Sequence, residues 1–186
     1  MRVILLLVTM MLVVGCSSPT LQPPKYYVLS GTPMQLIPHK VQHPAVEVRS
    51  VALSDYLQSA NIVLQVSDHE LFFSANHLWA EPLQVGIEKV LSNRLSQTQS
   101  LSDVPALLLD VNIDYFHIVD RDAVILSGNY VVESQTGANL VRERFTLREP
   151  LNHSGYEYAV SVMSSILGAL SQEIAAKVTA QQSSAR

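Results

Sequence analysis

Apolar and polar residues alternate with period two where the regular part of the chain begins. Val46 and Val48 alternate with Glu47 and Arg49, and after a bulge expected near Ser50 the apolar positions resume at Val51 and Leu53. Ile62, Leu64 and Val66 repeat the alternation, and Leu71 to Ser74 forms a short apolar piece behind the turn-forming Ser67-Asp68-His69-Glu70. Successive side chains of a strand point to opposite faces, so each stretch predicts a half-buried strand. The period then lengthens. Leu83, Ile87, Val90, Leu91 and Leu95 recur three and four residues apart behind Pro82, a residue that a first helical turn tolerates. This predicts an amphipathic helix from Pro82 to Gln97.

Period two returns with Leu107, Leu109, Val111, Ile113 and Tyr115 on one face and Leu108, Asp110, Asn112 and Asp114 on the other. A partner strand is expected from Val124 to Glu133, with Gln135-Thr136-Gly137-Ala138 as the turn into Leu140 to Arg148, which together make an antiparallel meander. Ser154-Gly155-Tyr156-Glu157 has the form of a capping box. Tyr156, Val160, Met163, Leu167, Leu170, Ile174 and Val178 come next at helical spacing and predict a long C-terminal helix. The order strands, helix, strands, helix predicts an α/β fold: a single two-layer domain over 45–182, with a mostly antiparallel sheet and two amphipathic helices on one face.

The N-terminus changes the picture. Arg2 precedes an apolar run, Val3 to Val14, that holds no charge, and Gly15 and Cys16 come after it. The run is too short for a permanent transmembrane helix and reads as a secretory signal over 1–15. Val13-Val14-Gly15-Cys16 has the form of a lipobox, which makes Cys16 the expected lipidation site, acylated by chains of the palmitate class, and the mature N-terminus. Cys16 is the sole cysteine, so no intramolecular disulfide is available. Ser17 and Ser18 stand where an inner-membrane retention aspartate would, which favours the outer membrane. Six of the nine prolines lie between Pro19 and Pro44. Residues 16–44 therefore read as a lipidated, Pro-rich tether, interrupted by one short strand expected at 26–30 around Tyr26 and Tyr27.

Composition excludes several functions. Removing Arg2 with the signal leaves 11 basic residues against 16 acidic ones, and no basic cluster offers a nucleic-acid surface. No Gly-rich phosphate loop and no Gly-x-Ser-x-Gly elbow occurs. His69-Glu70-Leu71-Phe72-Phe73 begins like a zinc-protease helix but has Phe73 where the second histidine belongs. His69 and His77 would lie about 26 Å apart on a continuous strand, and Pro38 and Pro44 bracket the pair His39 and His43 against helix formation. Asp110 and Asp114 fit a solvated strand face, Asp120-Arg121-Asp122 a charged turn, and Trp79 a packed anchor where a strand gives way to a helix. No catalytic residue, metal site or cofactor is expected.

The lipobox, the Tyr26-Tyr27 strand, a Val-x-Val strand leading to Asp55-Tyr56-Leu57, and Asn76-His77-Leu78-Trp79-Ala80-Glu81-Pro82-Leu83 ahead of a helix together resemble the PqiC/YmbA family of ABC-type transport auxiliary lipoproteins of Gram-negative bacteria. Tyr26, Tyr27, Trp79, Glu81 and Pro82 carry the resemblance as structural positions. It implies a non-enzymatic lipoprotein, anchored in the outer membrane by its acylated Cys16 and facing the periplasm. Its implied partner is an inner-membrane system with a PqiB-like MCE-domain protein, whose conduit it would dock for lipid transport, and a homo-oligomeric ring around the conduit's end is expected. A periplasmic lipid carrier or an envelope-structural lipoprotein are the alternatives. The Thr32 to Pro44 segment matches no family signature.

Overall fold

The computed structural model describes residues 23–29, 45–96 and 105–184. Seven strands form one sheet: β1 (Lys25–Tyr27), β2 (Val46–Leu53), β3 (Asn61–Ser67), β4 (Glu70–Trp79), β5 (Leu107–Val119), β6 (Ala123–Glu133) and β7 (Asn139–Pro150). Helix α1 (Leu83–Ser96) comes after β4, and α2 (Tyr156–Ser184) closes the chain. The sheet is mostly antiparallel, through β3–β4 and the meander β5–β6–β7. The parallel pairings are β1 beside β4, β2 beside the first half of β5, and a two-residue contact of β3 with the end of β5.

Both helices cover the same face. Leu109, Val111, Ile113, Leu126, Val132 and Phe145 from the sheet meet Ile87 and Leu91 of α1 and Met163, Leu167, Leu170 and Ile174 of α2 in one core. Burying each such side chain stabilises the fold by about 1.5–3 kcal/mol. By length and hydropathy α2 is also capable of crossing a membrane, but its apolar stripe, Val160 to Val178, is spent on the sheet. The opposite sheet face carries Arg142, Arg144, Thr146 and Arg148 of β7, all exposed. There Arg49 donates to Asp110 through Nε at 3.0 Å and through Nη2, and to Glu133 at 2.9 Å, and Ser50 donates to Asp110 at 2.6 Å. Arg49 and Ser50 hold the Asp110 carboxyl below the usual carboxylate range, with Arg49 the larger cause. This is the solvated, structural use expected for that acidic strand.

Several boundaries differ from expectation for identifiable reasons. The bulge near Ser50 is present, as a register shift between Val48 and Ser50. A second bulge, in β5 between Ile113 and Tyr115, was not expected. An extra residue flips the alternation, so Tyr115 leaves the apolar face and is 52% exposed, while Phe116 and Ile118 return to the core. Strand β4 runs well past the expected Ser74. Asn61 opposes Leu78 while Val63 opposes Phe73, so an excess of β4 residues bulges out between them, and Asn61 Nδ2 donates to the carbonyl of Ser74 at 2.8 Å. The bulge hides the alternation from a period count. The first bond of α2 is donated by Ala159 to the carbonyl of Gly155, whose φ is 112°. Gly155, rather than the Ser154 of the capping box, therefore caps the helix.

Gly128 of β6 lies opposite the β5 bulge. A Cβ at this position would overlap the carbonyl oxygen of Asn112 and press on Cα of Ile113 at 3.0 Å. No flexible side chain is available to yield, because both contacts are backbone. Gly128→Ala is therefore expected to cost roughly 3 kcal/mol or more, measured by denaturant unfolding against wild type. A loss under about 0.5 kcal/mol, the range of ordinary surface changes, would mean that the bulge does not constrain the sheet.

Candidate functional site

The Asn76 to Leu83 stretch is the end of β4 and its turn into α1, and β1 pairs alongside it. Lys25, Tyr26 and Tyr27 oppose His77, Leu78 and Trp79 in parallel register. The amide of Ala80 donates to the carbonyl of Tyr27 at 2.8 Å, and that of Trp79 to Ala60 at 2.7 Å. Trp79 is buried, as an anchor at this junction should be. Pro82 stands just before α1, and its carbonyl accepts from the amides of Val85 at 2.9 Å and Gly86 at 3.2 Å. Glu81 pairs with Lys89, one helical face further on. Tyr26 points outward, 62% exposed.

His77 is absorbed into this junction. Its Nδ1 accepts from the Tyr27 hydroxyl at 2.8 Å, and its ring stacks on Tyr156 at 3.7 Å between centroids. Burial, and secondarily the charge of Lys25, lowers its pKa, so the neutral ring is favoured. His69 lies in the β3–β4 turn, and no cluster of metal-ligating residues occurs among the described residues. Cys16, His39 and His43 lie outside the described residues.

Downstream of β1, Leu29 is buried between the two helices. One of its methyl carbons sits 3.3 Å from where a Cβ on Gly86 of α1 would be, and its carbonyl accepts from the Ser164 hydroxyl of α2. Residues 25–29 thus act as a strap, hydrogen-bonded to the sheet edge and plugged between the helices. Nothing in the spacing of Leu29, Gly86 and Ser164 pointed to this, because the contact is tertiary.

A second polar cluster lies on the uncovered face. His117 is 2% exposed, between Phe116 and Ile118. Its Nδ1 accepts from the Tyr56 hydroxyl at 3.0 Å and its Nε2 donates to Oε1 of Gln65 at 3.1 Å. Both nitrogens are satisfied on a neutral ring, and burial pushes the pKa down to about 4. Burial likewise raises that of Tyr56. A histidine inside an apolar strand run was the available signal, since a buried polar side chain requires partners. The cluster ties the Asp55–Gln58 turn to β5.

Burial of this histidine makes stability depend on pH. The unfolded chain takes up a proton on His117 near pH 6.5, whereas the folded protein does so only near pH 4. The contribution of the neutral ring is complete above pH 6.5 and lost as pH falls toward 4, by on the order of 3 kcal/mol. His117→Gln should flatten the stability profile across that window in denaturant titrations at each pH. An unchanged slope would place the acid sensitivity elsewhere.

Residues 27–175 match the family model of the ABC-type transport auxiliary lipoprotein component. The chain is 29% identical over 136 residues to the intermembrane transport lipoprotein PqiC of Escherichia coli (strain K12), covering 69% of this chain and 70% of that one, and the Shigella flexneri PqiC matches equally. A crystal structure of an uncharacterized protein superposes with a TM-score of 0.68 at 26% identity, over 84% of this chain and 99% of the other. A Xanthomonas campestris structure, 17% identical with a TM-score of 0.61, covers 89% and 99% and shares the fold. The matched span takes in the strap from Tyr27 onward and the junction that Trp79 and Pro82 build, and the chain belongs to the ABC-type transport auxiliary lipoprotein family.

Proposed function

We propose that the protein is a non-catalytic lipoprotein, anchored in the outer membrane through acylated Cys16 and facing the periplasm, which docks or stabilises the tip of a conduit built by an MCE-domain protein of an inner-membrane transport system. The strap carries this reading. Cys16 is seven residues from Pro23, so even a fully extended chain spans only about 25 Å between the acyl group and the folded domain. Because residues 25–29 are fixed to β4, α1 and α2, the domain stays at the bilayer surface with one end held toward it. That suits a dock rather than a shuttle. The histidines with described partners are engaged in tyrosine clusters, which fits an absence of catalysis. A closed homo-oligomeric ring fits the end of a conduit, since identical copies surround an axis without leaving open contacts.

Cys16→Ala should leave the outer-membrane fraction with the domain's unfolding unchanged, and retention there would overturn the anchor. Crosslinking of the tagged, lipidated protein in cells should recover an MCE-domain protein. Recovery of only peptidoglycan-linked or barrel-assembly proteins would count against docking. Light scattering of the purified lipidated protein should report a mass above one protein chain per particle once detergent is subtracted, and a monomer would remove the ring.

A further inference from the structure

One corner of the helix-covered face is left open. Leu64 of β3 is in register with Phe72 of β4 on one side and Ile118 of β5 on the other, so the three side chains form an apolar row across the sheet. Helix α1 packs on β2, and α2 mainly on β6 and β7, so only the first turn of α2, through Tyr156 and Ala159, reaches this row, and Leu64 and Ile118 are buried while Phe72 is left half exposed. The result is a cavity of about 280 Å³ with that row as its floor and Leu151, Tyr156 and Ala159 as its walls. This is close to the roughly 300 Å³ at which small-molecule sites begin. Phe72 is 50% exposed because it faces this space rather than the core.

The rim is chemically different from the floor. Arg121, from the β5–β6 turn, lies beside His153, Ser154 and Gly155 at the start of α2. Arg121 has no carboxylate partner among the described residues, whereas the neighbouring Asp122 pairs with Arg148. The turn holds both Asp120 and Arg121 in the left-handed region, at φ 49° and 61°. The amide of Asp122 donates to Val119 across it at 3.0 Å, a geometry that favours Asn-Gly over Asp-Arg. An arginine in the left-handed region, with no carboxylate partner among the described residues, thus lines an apolar trough that the first residues of a long helix also line.

We propose that this cavity binds a single-chain amphiphile with an anionic head, a fatty acid in the simplest case. Its chain lies on Phe72, Leu64 and Ile118, and its head group meets Arg121 at the start of α2. One cation matches one carboxylate, and the volume admits part of one chain rather than two. β1 runs parallel to β4 with Lys25 beside His77, so the first residue of β1 lies toward the Phe72 end of β4. The site does not depend on conduit docking, and either reading can fail while the other holds.

The test uses the full-length lipidated protein in phosphatidylcholine proteoliposomes, photolabelled with a fatty acid carrying a diazirine in its chain, and in parallel with lysophosphatidylcholine bearing the same chain. Mass spectrometry locates the adducts. The fatty acid should label the peptides around Leu64, Phe72 and Leu151 to Ala159, and the zwitterion should label them several-fold less. Arg121→Gly should cut fatty-acid labelling by about tenfold, the value of one charge-assisted contact, while raising Tm, because glycine occupies the left-handed region freely. Leu151→Trp should fill the cavity and abolish labelling by both probes. Equal labelling by the two probes, adducts spread over other peptides, or labelling unchanged in Arg121→Gly overturns the proposal. Arg121 is exposed, so that variant is decisive even if the tryptophan variant fails to fold.

Discussion

The two-sided hydrogen bonding of β5 sets the geometry of the whole domain. One edge of this strand pairs with β6 along its length, and the other is shared, first by β2 and then by β3. Two strands on one edge leave a gap where the first ends and the second begins. The chain fills it with the Asp55–Gln58 turn. The Ser54 amide donates to the carbonyl of Ile113 at 3.0 Å, Tyr56 reaches the carbonyl of Asp114 and Nδ1 of His117, and Leu57 is buried beneath. The β5 bulge lies at the same point. It turns Tyr115 outward and returns Phe116 and Ile118 to the core, and it requires Gly128 opposite because two backbones approach there without room for a Cβ. Gap, bulge and His117 cluster are thus one local solution to a shared edge.

The sequence was legible where burial alone decides position. The long apolar stripe of α2, the α1 stripe and the period-two run of Leu107 to Ile113 all name core residues correctly, because a helix or strand with one buried face must repeat at its own period. Legibility ended where an interruption of the period is itself the structure. The β5 bulge puts Tyr115 on the face opposite to the expected one, and the β4 excursion between Phe73 and Leu78 makes the expected strand several residues shorter than the observed one. The junction motif was readable as a boundary, with Trp79 buried and Pro82 opening α1, but its tertiary partners were not. Leu29 between the helices, Tyr156 on His77 and Arg121 over the Leu64 row each join residues far apart in sequence. No local pattern encodes such a meeting.

The strap is more than an edge strand. Three ladder positions are few for a strand to hold alone, and β1 is reinforced by side chains that reach into the helix layer. Leu29 enters the helix pair, and Tyr27 joins the His77–Tyr156 stack. A pull on the chain N-terminal to β1 is therefore resisted by both layers of the fold. Burial lowers the pKa of His77 at its centre, which favours the same arrangement, since protonation would remove the acceptor that Tyr27 uses.

The edges of the sheet constrain how copies of this chain can meet. A bare edge strand invites another strand to pair with it, and charges or prolines suppress that. β7 carries Arg142, Glu143, Arg144, Arg148 and Glu149 and ends in Pro150, while β1 is three residues long and is preceded by Pro23 and Pro24. Neither edge favours strand addition. Association of copies would then use side-chain surfaces, and the exposed aromatic groups of the uncovered face include Phe73 and Tyr115, 40% and 52% exposed. Phe73 lies opposite in phase to Phe72, so the same hairpin offers one aromatic ring to the cavity and the next to the outer surface. A single strand thereby separates the two kinds of contact, and a change at one position leaves the other in place.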